Sequence, residues 1–183
     1  MILPVTIYGH PVLRKKTEPV TPGTEGLKEF IDNMFETMYQ SDGVGLAAPQ
    51  VNSRHRLFVV DGSPMGEDDE SLKDFKRVFI NPEIIERAEE ENFAEEGCLS
   101  IPGIREEVKR PVSVRMRYQD ENLDAHEETI TGFAARIIQH EYDHLEGVLF
   151  TDKISPLRKR LLRKKLMAIA KGKFNVSYKV KLA

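Results

Sequence analysis

The sequence predicts an α+β fold, and three observations carry that reading. Apolar residues recur at helical spacing in three separate stretches, near 24–41, 132–147 and 157–170. Strict period-two alternation appears at 112–118 and returns at 126–131, the signature of a hairpin. No stretch alternates strand, helix and strand as a parallel βαβ unit would. At 183 residues the chain is long enough for one domain with a substantial core. A hydrophobic content of 40%, a charged content of 31% and a net charge of −3 exclude a general affinity for DNA or for membranes. No apolar run approaches a membrane span, and Met1-Ile2-Leu3-Pro4 lacks the basic region and apolar core of a signal peptide, so a cytoplasmic location is expected. Cys98 is the only cysteine, which rules out an intramolecular disulfide and fits a reducing compartment.

Taken in order, residues 1–23 carry Pro4, Pro11, Pro19 and Pro22 and read as an extended segment with turns. His10 there is a loop histidine without a second ligand nearby. Leu27, Phe30, Ile31, Met34, Phe35 and Met38 form a helical core stripe, with Thr24 as the expected N-cap. Residues 43–50, Gly-Val-Gly-Leu-Ala-Ala-Pro-Gln, leave the backbone nearly bare, as a close approach of ligand or chain requires; a tight, small-residue connection explains them equally well. Strands are expected over Arg56–Asp61 and Arg77–Asn81, with Ile84 and Ile85 continuing past Pro82, and an exposed acidic loop between them. The run Glu89-Glu90-Glu91 reads as a solvated loop or edge. The hairpin at 112–131 feeds a helix from about Gly132, with Gly147 placed as its C-terminal stop. Ser155-Pro156 opens a basic helix over Leu157–Ala170 whose apolar face is expected from Leu161, Leu162, Leu166 and Ile169; the tail beyond it stays basic.

Chemistry concentrates in residues 139–147, Gln-His-Glu-Tyr-Asp-His-Leu-Glu-Gly. His140 and His144 are four apart on a helix of roughly 3.6 residues per turn, so both imidazoles reach one metal ion. Glu141 points about 100° away, within reach of a water at that ion. Cys98, in Glu-Glu-Gly-Cys-Leu-Ser, supplies the soft third ligand and leaves one position open, which is the catalytic arrangement. Three alternatives stand beside this one. Cys98 as a nucleophile paired with His140 is the first. A metallopeptidase of the His-Glu-x-x-His type is the second. The third is a non-enzymatic, metal-stabilised binding module whose site a fourth protein ligand closes, leaving Glu141 and Gln50 without purpose.

With these stretches in hand, the sequence resembles the bacterial peptide deformylases. The family's glycine-rich, Glu-Gly-Cys-Leu-Ser and Gln-His-Glu motifs correspond in order and spacing to residues 43–50, 96–100 and 139–147. The likeness runs from Met1 to about Ser155; the basic helix and tail at 156–183 carry nothing over, although the whole chain is read as one catalytic domain. The resemblance implies small antiparallel sheets packed around the central metal-binding helix, with a C-terminal helix. It implies that Cys98, His140 and His144 bind one divalent metal ion, Fe²⁺ in the cell, with Zn²⁺, Ni²⁺ or Co²⁺ as substitutes. It also implies that a metal-bound water attacks the formyl carbon of N-formyl-Met peptides and nascent chains, with Glu141 as general base and then acid. Gln50, through its amide, and Leu99, through its backbone N–H, would stabilise the oxyanion. Val44, Gly45 and Gly97 would border the peptide, Phe133 and Ile137 would wall the methionine pocket, and Arg105 would flank the substrate further along. Arg136 falls where an apolar pocket residue is expected, and Glu96 with Arg110 resembles an ion pair holding the cysteine loop. A contact of the basic C-terminal helix with ribosomal RNA is a further reading.

Overall fold

The computed structural model describes all 183 residues. The strands are β1 (Val5–Thr6), β2 (Gly45–Ala47), β3 (Leu57–Asp61), β4 (Lys76–Arg87), β5 (Glu91–Cys98), β6 (Ile101–Pro111), β7 (Ser113–Gln119), β8 (Ala125–Thr131) and β9 (Val180–Lys181). The helices are α1 (Leu27–Gln40), α2 (Gly132–Leu145) and α3 (Pro156–Ala170). Antiparallel pairing builds one sheet in the order β2-β3-β4-β7-β8 and a separate β5–β6 hairpin, while β1 and β9 form a short parallel pair. This is the expected α+β arrangement, with α2 packed against β2, β3, β7, β8 and β6.

The sheet follows from its alternation. Along β7, Val114, Met116 and Tyr118 turn inward and the residues between them face out. Phe58 and Phe79 are cross-strand partners whose rings stack at 4.8 Å, and Tyr118 packs tilted against Phe79 at 4.4 Å. Such aromatic ladders set register as well as burying area. From the helix side, Ala134, Ala135, Ile137, Ile138 and Leu145 close this core. A second core gathers under α1, from Ile31, Met34, Phe35 and Met38 against Leu46, Leu57, Val59 and Ile80.

Two expectations need correction, at Thr24 and at Leu161, and two others gain detail. Gly26, in the left-handed region at φ +71°, caps α1, while the Thr24 hydroxyl donates to the Thr21 carbonyl instead. β4 runs past Pro82 to Arg87, as expected from Ile84 and Ile85, because a register shift between Ile80 and Glu83, with Asn81 at φ +50°, absorbs Pro82 as a bulge. The acidic run at 89–91 is exposed as expected and enters β5 at Glu91, but the β5–β6 hairpin has no counterpart in the sequence reading. Its inward positions include Glu96 and Arg110, so the apolar alternation that marks a strand is broken by two charges. On α3, Leu166 and Ile169 are buried and Leu162 half-buried, but Leu161 is 60% exposed, so the packed stripe is narrower than the sequence suggests.

Candidate active site

α2 and the end of β5 meet at the floor of a cleft of about 540 Å³. The potential ligand atoms of Cys98, His140 and His144 all lie within 4.8 Å of one another. Cys98 Sγ is 3.4 Å from His144 Nε2. His140 turns Nδ1 toward Glu96 Oε1 at 2.9 Å, which leaves Nε2 for the side where the thiol sits. His144 Nδ1 and Glu141 Oε2 are buried polar atoms without any hydrogen-bond partner. Buried polar atoms ordinarily find partners. Two imidazoles and a thiolate converging on one point, beside an unsatisfied carboxylate oxygen, fit a divalent metal ion with an open position.

Glu96 organises the rear of this floor. Its carboxylate accepts from Arg110 Nε and Nη2 at 2.7 and 2.9 Å, from Arg136 Nη1 at 2.7 Å, and from His140. Arg110 also reaches Asp143 at 2.8 Å, and Arg136 donates to the Val108 carbonyl and to Asn92. The expected Glu96–Arg110 pair is therefore one edge of a larger buried network. Arg136, although it borders the cleft, turns its guanidinium into that network, so it does not take the place of an apolar pocket residue. Burial works to raise the Glu96 pKa, but the hydrogen bonds and charges of His140 and Arg110 outweigh it and hold the carboxyl down at about 2.

The same surroundings divide the two histidines. Burial disfavours charge on both, yet Cys98, Glu96 and Glu141 push the His140 pKa up. Burial with the charges of His140, Arg110 and Arg14 pushes His144 down. Burial raises Glu141 to about 7, with His140 opposing the shift and Glu96 adding to it. A carboxyl titrating near neutrality can both take up and return a proton at physiological pH.

Gln50 is locked by its own turn. Its Oε1 accepts from Ala47 N at 2.9 Å, so Nε2 is directed at Cys98 Sγ, 3.4 Å away, and at Ser100 Oγ, 3.3 Å away. The bare backbone at Gly45 has a local reason. A Cβ there would lie 2.6 Å from Glu141 Oε1, so any larger residue would have to displace that carboxylate. β2 is also an edge strand, paired with β3 on one side only. Val44, Gly97, Leu99, Arg105, Phe133 and Ile137 all border the cleft, so every sequence-predicted site residue comes together. Arg105 is paired with Glu95 at 2.5 Å.

The sequence reading missed one wall. Asn175, Val176 and Tyr178, in the tail thought to carry nothing, line the same cleft. A signal was present: Phe174, Val176, Tyr178 and Val180 alternate with polar residues. His10 and His126 are outside the site. His10 Nδ1 accepts from Val12 N, and His126 pairs with Asp120.

Comparisons with known proteins agree with this geometry. Residues 2–160 match the family described as polypeptide deformylase. The peptide deformylase of Christiangramia forsetii is 52% identical over 188 aligned positions, covering 99% of this chain and 96% of that protein. The crystal structure of the Thermotoga maritima peptide deformylase superposes with a TM-score of 0.77 at 46% identity, covering 85% of this chain and 99% of that one. A Met-Ala-Ser-bound class I type b peptide deformylase from Acinetobacter baumannii gives a TM-score of 0.77 at 37% identity, covering 84% of this chain and 99% of that one.

Proposed function

Because this chain belongs to the peptide deformylase family, we propose the following division of labour for metal-dependent removal of the formyl group from N-formylmethionyl peptides and nascent chains. One observation carries it: three metal-ligating side chains converge on the cleft floor, with the unpartnered Glu141 carboxylate oxygen and the fixed Gln50 amide beside them.

Cys98, His140 and His144 hold one divalent ion, Fe²⁺ in the cell, where a thiolate and two imidazoles also accept Zn²⁺, Ni²⁺ or Co²⁺. When bound, the ion acts as a Lewis acid and brings the pKa of water toward neutrality. Glu141 takes a proton from the attacking water and returns it to the departing nitrogen, which frees formate and an N-terminal methionine. The Gln50 amide and the Leu99 N–H donate to the carbonyl oxygen as negative charge develops there. Phe133 and Ile137 wall the methionine side chain, and the open edge at Val44 and Gly45 pairs with the peptide main chain in the manner of an added strand. Gly97 and Arg105 border the peptide further out. Glu96 fixes the His140 tautomer from behind.

Residues 1–183 serve as one catalytic domain, with a core to about 155 and a basic helix and tail after it. No helix is long and apolar enough to cross a membrane, and we place the protein in the cytoplasm beside its substrates. Lys159, Arg160, Arg163 and Lys164 on α3 are exposed and in no ion pair, which suits a salt-sensitive contact with ribosomal RNA. Reversal of these four charges should abolish cosedimentation with ribosomes; undiminished cosedimentation removes that contact.

The deciding experiment is formate release from formyl-Met-Ala-Ser by anaerobically purified protein, wild type beside Glu141→Ala, with bound metal quantified. The wild type should turn over, and the variant should keep its metal and lose roughly 10²- to 10⁴-fold in rate. Equal turnover by both removes Glu141 from the chemistry, and no formate from the wild type removes the activity.

A further inference from the structure

The matched family region ends at residue 160, yet Asn175, Val176 and Tyr178 beyond it line the cleft. After α3, Gly172 at φ +77° turns the chain. From there Phe174, Val176 and Tyr178 are half-buried, while Lys173, Asn175, Ser177 and Lys179 between them are exposed. This is strand-like alternation without a sheet behind it. Two anchors fasten the segment. At its far end Val5 N and Ile7 N donate to the carbonyls of Lys179 and Lys181 at 2.8 and 2.9 Å. Near its middle the Tyr178 hydroxyl donates to the Leu99 carbonyl at 2.8 Å. Phe174 packs into the core formed by Ile7, Ile101, Ile104, Leu166 and Ile169. Tyr8 N, from the chain next to β1, donates to the Ser100 carbonyl at 2.8 Å, so N-terminal strand, tail and cysteine loop form one continuous wall.

An anchored segment of this kind has a defined surface to offer. Asn175, Val176 and Tyr178 face the cleft alongside Leu99, Pro102 and Gly103. The cleft that holds Phe133, Ile137 and Cys98 is lined by Gly97 and Arg105, placed above along the outgoing peptide, and by this wall as well. We propose that residues 174–178 form a subsite for the peptide residues that follow the formylmethionine, with Val176 offering apolar contact and Asn175 an exposed amide. Tyr178 is a positioning residue in this scheme: it ties the wall to Leu99, one residue from the thiol ligand. The inference rests on the deformylase reading and deepens it, assigning the tail to recognition of extended peptides rather than of the formylated residue alone.

The test compares full-length wild type, Val176→Ala and Tyr178→Phe on formyl-Met-Ala-Ser and on N-formylmethionine amide. It also measures binding of the product peptide Met-Ala-Ser by titration calorimetry. The ratio of kcat/KM for the tripeptide to that for the amide should fall about fivefold in Val176→Ala, through KM, and Met-Ala-Ser should bind about fivefold more weakly. Tyr178→Phe, which keeps the ring and loses only the anchoring bond, should lower the same ratio. A role confined to folding would reduce both substrates together and leave the ratio alone. Unchanged ratios and unchanged Met-Ala-Ser affinity in both variants overturn the subsite while formate release by the wild type keeps the deformylase reading. Absence of formate from both substrates with the wild type overturns that reading itself, and the subsite with it.

Discussion

The five-stranded sheet and the β5–β6 hairpin both abut α2, and they are held there by opposite means. The sheet meets the helix through aromatic and aliphatic side chains, Phe58, Phe79, Val114, Met116 and Tyr118 among them. The hairpin presents Glu96 and Arg110 at inward positions, and α2 answers with Arg136, His140 and Asp143. Apolar packing is tolerant of small changes in shape. A buried network of charges is not, because each partner left alone stays desolvated. The half of the site that supplies the thiol is therefore aimed by ion pairs, and the half that supplies the scaffold is aimed by packing.

Substitutions can break or sharpen this contrast, and the largest effect belongs to the network. Glu96→Ala strands Arg110 and Arg136 and frees His140, and should cost about 4 kcal/mol in denaturant unfolding of the metal-free protein. Bound metal measured after dialysis should fall as well. A loss no larger than that of an exposed pair would end the contrast. Met116→Ala, in the fully buried sheet core, should cost about 3 kcal/mol through lost transfer energy and the cavity left behind. Here the metal content should hold, and loss of metal would mean that the two halves are not separately aimed.

Smaller effects test where burial stops mattering. Asp152, half-exposed, receives Arg14 in an ion pair at 2.6 Å. Burial works to raise its pKa, but hydrogen bonds from Arg14 and the Leu149 N–H, with the charges of Arg14 and Lys159, hold it below the ordinary value. A carboxylate depressed on folding contributes stability above its unfolded pKa and loses it as the pH drops through its folded one. Asp152→Asn should thus cost about 0.5 kcal/mol at pH 7, after solvent screening, and a vanishing amount once the pH is well below about 4. A difference that grows on acidification contradicts the sign. Arg115, exposed beside Glu86 and Glu127, should give only about 0.3 kcal/mol on change to alanine, measured the same way.

The contrast also explains what could be read from sequence. The apolar half announced itself, because alternation in 113–119 and helical spacing in 132–145 are one-residue properties that survive without partners. His140, Glu141 and His144 were legible for the same reason, since the helix alone sets their spacing, and Cys98 stood out as the only thiol. Arg136 was misjudged because its neutralising partner is 40 residues away; the Glu96–Arg110 pair was foreseen from the resemblance, but the strand around Glu96 was missed because charges break its apolar alternation. An inward charge reads as an outward one until the chain is folded. The tail was passed over because polar residues separate its inward ones and lysines flank them, and nothing local says that Tyr178 finds Leu99, 79 residues distant.

The clasp between Val5–Thr6 and Val180–Lys181 joins nearly the whole length of the chain with two strand residues on each side. So short a ladder, exposed on its Val180–Lys181 side, adds little of its own once the sheet and α2 are folded. The clasp should accordingly open in fluctuations that leave the sheet and α2 intact, at a free energy below that of global unfolding. The amides of Val5 and Ile7, which donate across it, should exchange with deuterium well ahead of those in β3 and β4. One wall of the cleft then has a breathing motion of its own, set by the two ends of the polypeptide and not by the residues at the metal site.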